Sequence, residues 1–343
     1  MMLTKKVLSG LLLVFLLGLL SACGRGADSY PQLPSLELDA DRFYVAGLSS
    51  GGYMAQQLQM AWPEEVQGAA IFAAGPYGCA RRGVNAALLQ CMAVTRGRPN
   101  TSRLLEQLRE TSEAGQVGDL QQLQQHRVFI YQAEADPVIH AAVSQAVVEF
   151  YQQLVPGEQL LVTQGRRAGH GFPTLDKGVA CQRTASPFVN ACGFSGAAQS
   201  LDHLDGQRTH SLRDQPQGEL QKFSQKPFSE ASRGMADFGY LYRPPECQEE
   251  AQCGLKMVLH GCEQAAEKVG QSFIEKSGYL QEADARQLVM VFPQIDSSLT
   301  NPKGCWDWWG YESSAFDTRE GPQVEALRGI WKTLLSGYSA ESP

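Results

Sequence analysis

Five residues near the front of the chain, Gly47-Leu48-Ser49-Ser50-Gly51, constrain its fold more than any other stretch. Phe43-Tyr44-Val45-Ala46 before them reads as a short buried strand, and Ser50 to Trp62 after them has helical character that Pro63 stops. A serine on a tight turn between strand and helix is held exposed, and glycines on either side let the backbone turn without a Cβ clash. The plainer alternative is a glycine-rich helix start at which Ser49 only caps. A serine hydroxyl is a weak nucleophile at neutral pH, so the catalytic reading requires a base and an orienting acid elsewhere.

The remaining chain supplies places for both. Val66 to Ala74, Arg127 to Gln132 and Gln159 to Thr163 read as further strands, with a Leu/Gln/Glu-rich helical stretch over 102–125. The section from 195 to 233 is polar and reads as connection or edge. After it, Gly239 to Arg243 and Leu255 to Leu259 read as strands and Gln264 to Gln281 as a helix. Leu288 to Phe292 reads as a strand and Gln323 to Leu335 as a terminal helix. Strands alternating with helices predict an α/β fold, a mostly parallel sheet covered by helices on both faces. No internal repeat or low-complexity linker divides it, so residues 36–340 are expected to form a single domain.

Asp136 follows the strand Val128-Phe129-Ile130-Tyr131 and is the expected acid, with Glu134 as its competitor. His170 follows Leu160-Leu161-Val162-Thr163 and is the expected base. His126, His203 and His210 sit in polar stretches and read as surface residues, and His140 as an exposed one. The order Ser, Asp, His is that of an α/β-hydrolase. Such a site needs two N–H donors for a tetrahedral oxyanion. One is the backbone of Ser50. The other normally sits on a His-Gly-type loop that precedes the serine, yet here Leu259-His260-Gly261-Cys262 lies near the far end of the chain. Joining Ser336 to Leu38 restores the usual order, which predicts a circular permutation and assigns the second donor to the Cys262 N–H.

Cys305-Trp306-Asp307-Trp308-Trp309-Gly310-Tyr311 holds three of the five tryptophans, and Trp306, Trp308 and Trp309 are candidates for contact with an apolar substrate. Core packing is their plainer role.

The first residues are read as an address. Lys5 and Lys6, an apolar run from Val7 to Leu20, and Leu20-Ser21-Ala22-Cys23 predict a signal peptide over 1–22 and lipid attachment at Cys23. Residues 23–35 would be a polar tether. Gly24 rather than an acidic residue follows the cysteine, so an exported, outer-membrane-anchored lipoprotein is expected, touching the membrane only through that lipid. Nine cysteines less Cys23 leave eight, an even number suited to disulfides in an exported chain. Short separations suggest Cys79–Cys91, Cys181–Cys192 and Cys247–Cys253, which leaves Cys262–Cys305. No C-x-x-C pair supports a zinc site. A net charge of −7 gives a nucleic-acid partner no electrostatic support.

Together Gly47–Ala55, Gly169-His170-Gly171-Phe172-Pro173-Thr174, Gly234-Met235-Ala236, Leu259–Cys262 and Gly304–Trp308 resemble the circularly permuted poly(3-hydroxybutyrate) depolymerase family. The resemblance runs from about residue 40 to 335. It implies a serine esterase acting on polyhydroxyalkanoates or their oligomers, without metal or organic cofactor. Ser49 would be the nucleophile, Asp136 the acid, His170 the base, and Ser50 and Cys262 the oxyanion donors. Gly171 departs from the threonine common in relatives, and the segment around Asp136 matches loosely. Two other readings are a feruloyl- or acetyl-carbohydrate esterase on the same scaffold and a lipid-anchored binding protein without activity.

Overall fold

Alternation within one strand sets the architecture. In Leu38–Leu48 (β1), Phe43 and Val45 point into one apolar layer while Tyr44, Ala46 and Leu48 point into another. A strand apolar on both sides must be covered on both sides. The computed structural model describes residues 30–337 except 207, 231, 233 and 249–251. The expected signal peptide and Cys23 lie outside the described residues.

Eight strands form the main sheet. After β1 come Gly68–Phe72 (β2), Arg127–Ala133 (β3), Leu160–Gly165 (β4), Glu219–Ser224 (β5), Phe238–Arg243 (β6), Cys253–Leu259 (β7) and Leu288–Phe292 (β8). Their spatial order is β4-β3-β2-β1-β7-β8-β6-β5. All neighbours are parallel except the pairs that β6 makes with β8 and β5. A smaller three-stranded sheet formed by Phe172–Thr174, Val189–Ala191 and Val179–Ala180 follows β4 in the chain and packs through Phe172 against Phe72 of β2.

Among the described residues, six helices have eight residues or more: Ser50–Ala61 (α1), Thr101–Glu113 (α2), Ala141–Tyr151 (α3), Gly196–Leu204 (α4), Tyr279–Arg286 (α5) and Pro322–Leu335 (α6). On one face, α1 and α6 pack through Met54, Leu58, Leu327 and Trp331, and α2 and α3 continue that layer through Leu105, Leu108 and Val147. The opposite face is covered by α4 and α5 through Leu201, Leu204, Tyr279 and Ala283.

The permutation is visible at its seam. β7 and β8 lie directly beside β1 although they come from the other end of the chain. The end of α6 meets the start of β1: Leu36 N–H donates to the Leu334 carbonyl at 2.9 Å, and the Ser35 and Ser336 hydroxyls lie 3.0 Å apart. An unpermuted chain would run continuously through this junction.

Four local expectations change. The 195–233 stretch holds α4, capped by Ser195 Oγ accepting from Ala198 N–H at 3.1 Å, and the edge strand β5. Its apolar residues Ala197, Leu201 and Leu204 follow helical spacing within an otherwise polar region. The single helix expected over 264–281 is broken into three, because Gly270 (φ 58°) and Gly278 (φ 85°) take left-handed conformations. The 102–125 stretch is α2 followed by a separate turn of 3₁₀ helix over Leu120–Gln125. Lastly, the tether expected through residue 35 is docked from Tyr30 onward, with Leu33 buried in the core.

Lys256, in the middle of β7, is fully buried between Tyr44 and Tyr279, whose ring centres lie 5.9 and 5.6 Å from its Nζ. Nζ has no hydrogen-bond partner among the described residues, and burial pushes its pKa down to about 7. Between that value and the ordinary lysine range the unfolded chain binds a proton that the folded one does not, so stability rises with pH across that window. Lys256→Met is therefore expected to stabilise the protein by roughly 1–4 kcal/mol at pH 7 and below. Denaturant melts should show this advantage shrinking as pH approaches 10. An advantage constant with pH would reject the titration account.

Candidate active site

The turn after β1 puts Ser49 at φ 56°, ψ −119°, a region that costs a non-glycine residue about 1–3 kcal/mol. Neighbouring bonds hold it there: Ser49 N–H donates to the Phe72 carbonyl at 2.9 Å and Tyr53 N–H to the Ser49 carbonyl at 3.1 Å. The flanking glycines are needed for close approach. A Cβ on Gly47 would stand 2.1 Å from the Gly51 carbonyl, and one on Gly51 would stand 2.4 Å from the Leu259 oxygen.

Parallel pairing of β1 with β7 sets Gly47 opposite Leu259, so the His260-Gly261-Cys262 loop leaves the sheet beside the serine turn. A Cβ on Gly261 would lie 3.4 Å from that of Ser49. The loop is fixed from several directions. His260 Nδ1–H donates to the Gly261 carbonyl at 2.8 Å, and Nε2 accepts from Ile295 N–H at 3.3 Å. Burial pushes the His260 pKa down to about 4, against the opposing pull of the Gly261 hydrogen bond. The ring is thus neutral, in the tautomer that its two partners demand. Gln264 Oε1 accepts from Gly261 N–H at 2.8 Å, while its Nε2 donates to the Pro187 and Phe188 carbonyls.

Asp136 and His170 come from the loops after β3 and β4. The ends of those strands are tied by Glu134 N–H to the Gly165 carbonyl and Ala135 N–H to the Ala168 carbonyl. Asp136 Oδ2 accepts from His170 Nδ1–H at 2.6 Å, and Oδ1 accepts from the Val138 and Ile139 amides at 2.7 and 2.9 Å. Both side chains are nearly buried, 2% and 7% exposed. Glu134, the competitor, is exposed and carries no bond to His170. The Gly171 departure has a local reason: a Cβ there would stand 2.3 Å from Asn190 Oδ1, and Asn190 is engaged through Nδ2 with the Cys181 and Arg183 carbonyls.

Ser49, His170 and Cys262 line one cavity of about 400 Å³ beyond the carboxyl ends of the parallel strands. Its walls are largely apolar, including Leu88, Met92, Ile139, Trp308 and Trp309. Trp308 stacks on Tyr53 at 4.2 Å and 14°, and its indole N–H has no partner among the described residues. Trp306, expected to contact substrate, is instead a core residue. It is fully buried, and its Nε1–H donates to the His260 carbonyl at 3.0 Å. Its polar edge is used to hold the His260-Gly261-Cys262 loop.

The cysteines join as Cys79–Cys91, Cys181–Cys192, Cys247–Cys253 and Cys262–Cys305. The last bond ties the Cys262 loop to the tryptophan loop. Among the histidines expected at the surface, His126 is buried beside Gln59, and burial pushes its pKa down to about 4. His140 is exposed, and its Nδ1 caps α3 by accepting from Ala142 N–H.

Two positioning residues escape sequence reading. Asp307 is buried and accepts from the amides of Gly310, Tyr311, Glu312 and Ser313, which shapes the segment bearing Trp308 and Trp309. An aspartate three residues before Gly310 was the available turn signal. Gln264 carries no comparable signal, since a glutamine in a helix-like stretch reads as surface.

Sheet order, seam and serine turn define a circularly permuted α/β-hydrolase. No family model matches the chain. It is 34% identical over 331 residues to a poly(3-hydroxybutyrate) depolymerase of Delftia acidovorans, covering 94% of this chain and 66% of that one. It is 30% identical over 335 residues to a polyhydroxybutyrate depolymerase of Talaromyces funiculosus, covering 93% and 97%. A solved PHB depolymerase carrying a serine-to-alanine substitution, complexed with an R3HB trimer, superposes with TM-score 0.84 at 28% identity, over 90% of this chain and all of that one. The chain belongs to the poly(3-hydroxybutyrate) depolymerase family of carboxylic-ester hydrolases.

Proposed function

We propose that this protein is an exported, lipid-anchored serine esterase that cleaves poly(3-hydroxybutyrate) or its oligomers through an acyl-enzyme. The observation that carries the reading is the Asp136–His170 pair opening onto the same apolar cavity as Ser49 and the Cys262 loop. His170 takes the Ser49 proton as Oγ bonds to the ester carbonyl carbon, and Asp136 holds the imidazole with Nδ1 protonated. The Ser50 and Cys262 amides receive the oxyanion. Collapse breaks the ester C–O bond, the leaving alkoxide takes the proton from His170, and water then repeats the sequence to release the acyl group. Export is supported by the four disulfides and by the charged-then-apolar N-terminal sequence.

Trp309 stands half-buried in the cavity wall and offers ring area to a chain substrate. Trp309→Ala removes that ring. It is expected to raise KM for a 3-hydroxybutyrate trimer about ten-fold, corresponding to roughly 1.4 kcal/mol of lost apolar contact. An unchanged KM would remove Trp309 from substrate recognition.

The deciding experiment is a panel run on the purified protein: amorphous polyester, hydroxybutyrate oligomers and feruloylated or acetylated sugars. Hydroxybutyrate esters are expected to give the highest kcat/KM. Preference for an acylated sugar would overturn the substrate assignment while leaving the ester chemistry intact.

A further inference from the structure

The described chain begins against the domain. The Pro31 carbonyl accepts from Ser224 N–H at 2.7 Å, and the Tyr30 ring packs 4.9 Å from that of Phe238. Lys222 Nζ lies 4.0 Å above the Phe238 ring and 5.3 Å above that of Tyr30. Pairing fixes which end of the sheet this is. Phe292, the last residue of β8, faces Tyr240 in the antiparallel strand β6, so Phe238 lies beyond the carboxyl end of β8. Ser224 pairs with Phe238. Tyr30 therefore sits at the carboxyl end of the parallel strands, where Ser49, His170 and the cavity also lie. Four strand spacings, roughly 19 Å, separate it laterally from β1.

We propose that lipid attachment at Cys23 turns this catalytic end toward the bilayer, so that the anchored enzyme takes soluble oligoesters in preference to solid polymer. The inference rests on the lipid-anchored esterase reading above. Only residues 24 to 29 separate Cys23 from Tyr30. Fully extended, they reach roughly 20 Å. A domain of this length is roughly 50 Å across. A tether so short, leaving from the catalytic end, cannot pass round the domain to set its opposite end on the membrane. Side chains at the cavity suit that placement: Val84 and Leu88 are half exposed and Leu299, beside the cavity-lining Thr300, is fully exposed. An oligomer of a few units enters the gap between domain and bilayer, whereas a granule larger than the domain does not.

The test uses the chain from Cys23 onward, which retains every described residue and leaves the Cys23 thiol free while the other eight cysteines are paired. It is coupled through Cys23 to phosphatidylcholine vesicles bearing a maleimide lipid. A second form carries a long Gly/Ser insertion between Ser29 and Tyr30. Hydroxybutyrate trimer should be hydrolysed within two-fold by both forms. Amorphous granules should be hydrolysed at least ten-fold more slowly by the short-tethered form, with the insertion restoring the rate. Equal granule rates would overturn the orientation, and loss of trimer hydrolysis in the short form alone would overturn the preference for oligoesters. Mass spectrometry of the mature protein from cells tests the anchor separately. An unacylated N-terminus would overturn the anchored state, whatever the vesicles show, and leave the ester chemistry untouched.

Discussion

Ser49→Ala is expected to lower kcat for a short-chain p-nitrophenyl ester by roughly 10⁶-fold, about 8 kcal/mol of barrier. The loss is large because in the proposed mechanism the Ser49 oxygen is the atom that bonds to the ester carbonyl carbon. His170, its Asp136 partner and the Cys262 loop would remain, so residual rate above water would come from the oxyanion donors and binding alone. The fold should be unaffected. Alanine keeps the Cβ at φ 56°, and the turn is held by backbone bonds to Phe72 and Tyr53 rather than by the hydroxyl. A fluorophosphonate probe should label the wild type and not the variant. Activity within ten-fold of wild type, in a variant with an unchanged melting midpoint, would remove Ser49 from the mechanism.

Asp136→Asn is expected to lower kcat about 10⁴-fold with little change in stability. Asp136 now accepts from His170 Nδ1–H at 2.6 Å while its other oxygen is fixed by two amides. An asparagine that keeps the amide contacts through its oxygen presents an N–H to Nδ1. Nδ1 must then accept, the ring proton moves to Nε2, and the nitrogen facing the serine can no longer act as base. Glu134→Gln is the control, since that exposed carboxylate makes no bond to the histidine, and it should stay within two-fold. Equal losses in the two variants would mean that general loop charge, not the tautomer, is what matters.

Not all of this site was equally legible. Ser49, Asp136 and His170 stand where apolar strand patterns stop, so local sequence pointed to the loops that carry them. The permutation was legible from one displaced motif, His260-Gly261-Cys262, because that loop belongs beside the serine turn in any chain of this order. Trp306 and Trp308 were indistinguishable in sequence. Both are aromatic residues of one short loop, and only packing puts one in the core beneath His260 and the other in the cavity wall. Residues 30–35 looked like spacer because a segment held by a backbone bond at Pro31, a hydroxyl contact at Ser35, ring and cation contacts at Tyr30 and the buried Leu33 has no periodic pattern.

Residue order alone determined the alternation of strands and helices around the serine turn, the chemistry available at strand ends and the even cysteine count, because these follow from local backbone preference and side-chain identity. Tertiary structure decided which edge the front of the chain lies against, which tryptophan meets the cavity and how Asp307 and Gln264 hold their loops. Those outcomes depend on contacts between segments far apart in the chain, and short-range patterns carry no record of which distant atoms will compete for the same space.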